Sequence, residues 1–156
     1  MESLTLKEII EESILELIEK DYVLLEKRVN ERCICSHLAN YIEKRFEKNQ
    51  YDWNIDVEYN RNFQKPKSLM FDKTIKKVIP DIIIHRRDKN NNMFEGMDNN
   101  LLIIEVKQFA KEKGKEQDIK KINAFIQEAP YRYKYGLFLN FTNFAPWSEC
   151  TWFERE

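Results

Sequence analysis

The sequence predicts an α/β domain in which a mixed sheet carries helices on its faces. Three observations predict it. Apolar residues recur at three-to-four spacing from Leu6 through Phe46. Two short runs, Val78–Ile84 and Leu101–Lys107, are apolar enough to be buried strands. A further helical stripe separates those runs from a third apolar run, Tyr135–Phe141. At 156 residues the chain has the length of a single domain with one substantial core.

The elements follow in order. Leu6, Ile9, Ile10, Ile14, Leu17 and Ile18 form one face of a helix from Leu4 to about Lys20, with acids opposite. A second helix starts near Asn30 or Glu31 and runs through Cys33, Ile34, His37, Leu38, Tyr41, Ile42 and Phe46 at three-to-four spacing. Asn30 is suited to cap it, and Glu31 in its first turn suits the helix dipole. From Trp53 the period changes to two: Trp53, Ile55, Val57 and Tyr59 alternate with polar residues, as in a half-exposed strand. Residues 61–77 are polar, contain Pro66, and read mainly as a connection. The two apolar strands come next, as antiparallel neighbours joined by residues 86–100. Asn90-Asn91-Asn92, Gly96 and Asn99-Asn100 make that segment turn material with a mobile tip. A helix from about Lys115 to Glu128 carries Ile119, Ile122, Phe125 and Ile126 and stops at Pro130. Residues 135–141 form a strand, and Cys150 to Phe153 a last edge strand. The order is α-α-β-β-β-α-β with a final β.

Composition narrows the class. The chain is 42% hydrophobic and 34% charged, which fits a folded water-soluble domain and excludes a disordered one. The formal net charge of -1 gives no global basic field, so any nucleic-acid contact must be local. No apolar run is long enough to cross a bilayer, and Met1-Glu2-Ser3-Leu4-Thr5 lacks the basic start of a secretion signal. Cys33, Cys35 and Cys150 have no metal spacing, since i and i+2 do not share a helix face. The expected compartment is the cytoplasm, with reduced thiols.

The chemistry is carried by acids inside the apolar runs. Asp81 follows Pro80 in the first, and Glu105 precedes Lys107 by two residues in the second. Residues i and i+2 of a strand point to one face, so Glu105 and Lys107 project together while Val106 packs on the other side. A charge buried without a partner is costly, so such groups are paired, neutralised or bound to metal. If Asp81 lies on the adjacent strand, two carboxylates and an ammonium converge. Oxygen ligands on rigid strands suit a hard divalent cation, with water and substrate phosphate completing its shell.

Pro80-Asp81 and Glu105-Val106-Lys107, 24 positions apart between the acids, resemble the motif of the PD-(D/E)XK nuclease superfamily, the restriction-endonuclease-like fold. The element order resembles that family's α-β-β-β-α-β core, which would span about residues 30–140 of one domain covering 1–156. Residues 1–29 would then be an N-terminal helical addition. Asn30-Glu31-Arg32, Val57-Glu58-Tyr59-Asn60-Arg61 and Pro80 through Arg86 are similar to small, uncharacterised bacterial and phage members. The resemblance implies a hydrolase cleaving phosphodiester bonds, in DNA first of all, with Mg2+ as cofactor and Mn2+ as substitute. It implies Asp81, Glu105, the Val106 carbonyl and Glu31 as metal ligands, and Lys107 as the residue that handles the attacking water. Gln108 would hydrogen-bond a phosphate or sugar, and Lys120 and Lys121 would contact phosphates. A homodimer would suit double-strand cleavage. The rival function is a catalytically silent module of the same fold, binding nucleic acid or a protein partner within a defence or repair assembly.

Plainer readings stand beside these. Asp81, Glu105 and Lys107 would otherwise form a structural salt bridge, and Glu31 would be a first-turn acid. Glu58 competes with Glu31 for a metal but reads better as a solvated strand residue. His85 reads as an exposed strand terminus and His37 as a satisfied core histidine. Tyr131, Tyr133, Tyr135, Trp147 and Trp152 read as core and edge packing rather than base-stacking residues.

Overall fold

The computed structural model describes residues 1–62, 65–71, 74–87, 99–128 and 131–156. Helix α1 (Ser3–Glu26) leads to α2 (Glu31–Lys48). Strand β1 (Asn54–Val57) is followed by two small hairpins, β2 (Arg61–Asn62) with β3 (Lys65–Pro66), and β4 (Ser68–Phe71) with β5 (Thr74–Lys77). Strands β6 (Ile82–His85) and β7 (Asn100–Gln108), helix α3 (Glu112–Gln127), and strands β8 (Tyr135–Phe141) and β9 (Ser148–Glu154) complete the order. The main sheet runs β1-β6-β7-β8-β9, antiparallel throughout except for the parallel β7–β8 pair. Helix α3 is the crossover that a parallel pair requires. The α/β class and the helix-flanked mixed sheet are as the sequence predicts.

Each face of the sheet has its own helices because β7 and its neighbours are apolar on both sides. Ile82, Ile84, Leu102, Ile104, Val106, Leu137 and Leu139 pack with α1 and α2. Ile83, Ile103 and Phe138 pack with Ile122, Phe125 and Ile126 of α3 and with Leu69 of β4. Ile83 and Ile103 therefore face α3, while Leu101, at the register shift opposite Ile84 and His85, packs on the other side. Gly136 lets that helix approach: a Cβ there would stand 2.3 Å from Ile122 Cγ2 and 2.9 Å from Ile126 Cδ1. Asn30 caps α2 as expected, its side chain accepting from Cys33 N–H at 2.9 Å.

Four expectations need correction. Helix α1 runs past Lys20 to Glu26, and the predicted end instead marks a kink at Asp21 (φ -118°, ψ 23°). The strand predicted through Tyr59 stops at Val57, because Glu58 takes a left-handed backbone (φ 50°). Residues 61–77 hold two hairpins rather than a plain connection; β5 is exposed along its whole length, so it carries no alternating apolar signal. The first apolar strand is shorter than residues 78–84, with Asp81 in a bend just before it. The mobile tip predicted within residues 86–100 and the stop at Pro130 lie outside the described residues.

The histidines also differ from expectation. His37 is exposed on α2, its Nδ1 3.1 Å from Asp21 Oδ2, which also accepts the Tyr41 hydroxyl at 2.6 Å. His85 is buried, and Asp56 Oδ2 accepts from its Nε2 at 2.7 Å. Arg87 grips the same carboxylate from Nε at 2.7 Å and also through its second nitrogen. This clamp locks β1 to the end of β6.

Two predictions follow from this packing. Gly136→Ala should destabilise the fold by about 1–3 kcal/mol, the cost of overpacking against two branched side chains; an unchanged denaturant midpoint would show that α3 yields freely. Asp56 is held down to about 2, since the His85 and Arg87 hydrogen bonds outweigh its burial. A depressed carboxyl stabilises the fold above its unfolded value, and that contribution is lost as pH falls through the folded one. The stability gap between wild type and Asp56→Asn should therefore be full near pH 5 and shrink steadily towards pH 2, as read from denaturation midpoints across that range.

Candidate active site

The antiparallel β6–β7 register pairs Ile82 with Ile104, so one step back along the ladder Asp81 comes opposite Glu105. Asp81 reaches across and its Oδ2 accepts the Val106 N–H at 2.8 Å. The carbonyl oxygen of Asp81 accepts from Glu58 N–H at 2.9 Å, which ties the bend to the end of β1. Asp81 is thus fixed through both its backbone and its side chain beside the second acid.

Glu105 is 1% exposed. Its Oε2 accepts from Lys121 Nζ at 2.8 Å, and the same ammonium donates to the Ile79 carbonyl at 2.6 Å. Glu105 Oε1 is buried with no hydrogen-bond partner. An acceptor stranded in this way costs about 1–3 kcal/mol. Burial pushes the Glu105 carboxyl well above the usual carboxylate range; Lys121 pulls it back, and the negative charge of Asp81 adds to the rise.

Lys107 projects to the same side as Glu105, at the mouth of the site. Its Nζ stands 3.5 Å from Glu31 Oε1 at the start of α2 and 3.5 Å from Asp118 Oδ2 of α3. Burial acts to lower the Lys107 ammonium, but Asp118, Glu31 and Asp81 outweigh it and hold it above its ordinary value. Asp118 Oδ2 is buried, and its ion-pair contact with Lys107 lacks hydrogen-bond geometry, so this oxygen too has no hydrogen-bond partner. Burial raises the Asp118 carboxyl against the pull of Lys107 and Lys121. The thiol of Cys35, buried in α2, registers the same acids: burial raises it first, then Asp81, Glu31, Glu105 and Glu58.

The structure brings Asp81, Glu105, Lys107 and Glu31 into one neighbourhood. Glu58 turns to Arg32, with a 3.0 Å ion pair on the surface. Gln108 is spent within the protein: its Nε2 donates to the Val29 carbonyl at 2.6 Å, tying β7 to the turn before α2, while its Oε1 is buried and unpaired. Lys120 is exposed, as a phosphate contact requires, whereas Lys121 faces inward onto Glu105. Asp118 and the inward role of Lys121 are absent from the sequence reading. A signal existed, for Asp118 lies four and seven residues before Ile122 and Phe125 and so falls on the apolar stripe of α3.

As a cation site the arrangement has the right donors. Glu105 Oε1 is buried without a partner, Asp118 Oδ2 has only a 3.5 Å ion-pair contact with Lys107, and Asp81 stands fixed beside Glu105. Among the described residues, however, no three acids, histidines or cysteines stand close enough together to hold a metal ion as they are. The positive charge on Glu105 is instead the Lys121 ammonium. No helix among the described residues is long and apolar enough to cross a membrane.

No family model matches the chain, and no curated protein does. Among solved structures, the crystal structure of SSO0001 is similar with a TM-score of 0.36 at 15% identity. The likeness covers 92% of this chain, which spans 62% of the length of that one.

Proposed function

We propose that the protein is a metal-dependent nuclease that hydrolyses phosphodiester bonds by activating water, with DNA as the expected substrate. The observation that carries this reading is the buried Glu105, one oxygen unpaired, held beside an Asp81 that is pinned to the Val106 N–H. Membership of the PD-(D/E)XK superfamily is part of the same proposal and rests on the motif residues and the order of elements around them.

Asp81, Glu105, the Val106 carbonyl and Glu31 are the groups that would hold Mg2+ or Mn2+, whose chemistry there is to polarise the phosphoryl group and acidify a bound water. Lys107 supplies a donor at the mouth of the site. Its ammonium, between Glu31 and Asp118, orients the attacking water and stabilises the negative charge that grows on the phosphoryl oxygens. Lys111 and Lys113 at the start of α3, and Lys120 midway along it, are exposed where the phosphate backbone of a substrate would be steered. A homodimer and a cytoplasmic location belong to this proposal as well.

The second reading, a catalytically silent module that binds nucleic acid or a protein partner, is favoured by one observation. Lys121 already neutralises Glu105 within the fold.

Cleavage assays on plasmid and single-stranded substrates with Mg2+ or Mn2+ separate the two. Wild type should cleave, and Asp81→Ala and Lys107→Ala should each lose about 100-fold or more, the scale of removing a positioned electrostatic group. Mutants as active as wild type would remove these residues from the chemistry. A wild type that retains nucleic acid without cutting it would establish the silent module.

A further inference from the structure

Helix α3 contributes two charged groups to this site that the motif does not contain, and their positions differ in kind. Asp118 and Lys121 are three residues apart, one helical turn, and both face β7. Lys121 bridges Glu105 Oε2 and the Ile79 carbonyl, while Asp118 Oδ2 and Glu105 Oε1 remain without hydrogen-bond partners. Glu105 Oε1 has no partner at all, and Asp118 Oδ2 has only the long 3.5 Å ion-pair contact with Lys107.

We propose that Lys121 is an internal gate on a divalent-cation site formed by Glu105 and Asp118: its ammonium occupies Glu105 in the closed form, and an incoming cation displaces it. The proposal rests on the reading of Glu105 as a metal ligand and adds Asp118 as a ligand from α3. Three features support it. The acids Asp81, Glu105, Asp118 and Glu31 outnumber the ammoniums Lys107 and Lys121, so an added divalent charge is favoured. The lysine carries its charge on a flexible four-carbon stem, so the ammonium can swing out while α3 stays packed through Ile122, Phe125 and Ile126. The donors left behind are carboxylate oxygens, which select a hard ion such as Mg2+ or Mn2+ over a softer one.

The test is Mn2+ binding to the whole protein, followed by the electron paramagnetic resonance of free Mn2+ and needing no substrate. Lys121→Met should bind Mn2+ at least ~10-fold more tightly than wild type, and Asp118→Asn ~10-fold more weakly, the range by which groups around a metal tune its affinity. Glu105→Gln should abolish the binding that Lys121→Met enhances. Lys121→Arg keeps the positive charge and should stay near wild type, which covers the case in which Lys121→Met does not fold. A wild type that binds no Mn2+ while Lys121→Met does would support the gate in its strongest form. Equal affinities for wild type and Lys121→Met, an Asp118→Asn variant that binds like wild type, or Lys121→Arg binding tighter than wild type would overturn it. Failure of cleavage with these affinity shifts intact would sink the nuclease reading alone. Cleavage without the shifts would sink the gate alone.

Discussion

Burial of the Glu105 carboxylate is the constraint around which the rest of the site is arranged. A charge removed from water in the middle of an apolar strand is unstable unless neighbours answer it. Here the answer comes from the helix packed over that strand, through Lys121, and it is only half complete, since one oxygen is left without a donor. The other acids then act on Glu105 as well as on any ligand. Asp81 raises its proton affinity, and Asp118 adds to the rise. An apolar side chain at this position would avoid the cost of that burial, as Ile103 does two residues earlier on the same face. The retained acid is therefore most economically explained by a partner of positive charge.

How far this could be read from the chain depends on the range of the interaction that decides each feature. The alternation in residues 101–107 is local, and it put Glu105 and Lys107 on one face with Val106 opposite, as the packing of Val106 with α1 and α2 bears out. The convergence of Asp81 with Glu105 required only that two apolar runs be antiparallel neighbours, which a turn-rich connection made the natural choice. Helix α3 was legible as an element, but the inward turn of Lys121 was not. Its direction is set by the rotational phase of the helix, fixed by Ile122 and Ile126 closing over Gly136 of a strand that follows it in the chain. The amide of Gln108 was out of reach for the same reason: it donates to the carbonyl of Val29, 79 residues earlier.

The two histidines make the point from the other side. His37 sits at a position compatible with an apolar helix face, yet the kink at Asp21 provides a surface carboxylate that holds it outside. His85 ends an apolar strand and was read as exposed, yet Asp56 on β1 and the Tyr59 ring draw it under cover. Neither partner is near in sequence, and in each case a single carboxylate decides where the ring lies. Residues 61–77 failed differently. Their strands are two to four residues long and largely exposed, so no hydrophobic period exists for a sequence reading to find.

These observations assign different mechanical roles to the two sides of the site. Asp81 and Glu105 belong to β6 and β7 or their immediate flank, and β6 is anchored at both ends on the face that meets α3. At one end Asp81 is tied to Glu58 and Val106; at the other, about 13 Å away by strand geometry, His85 is held by Asp56 and Arg87. Glu105 lies on β7, the central strand, between that anchored β6 and β8, so its backbone cannot move towards water to relieve the burial of its carboxylate. The charge that balances it must then be the part that moves, and the groups on the opposing helix meet that requirement. Lys121 has a long flexible stem, two polar anchors and an opening towards solvent, being 18% exposed at its side chain. A rigid anionic floor with an adjustable cationic cover can exchange one positive partner for another without disturbing the sheet. That division of labour is a property of this fold whether the incoming partner is a metal ion or a basic group of another macromolecule.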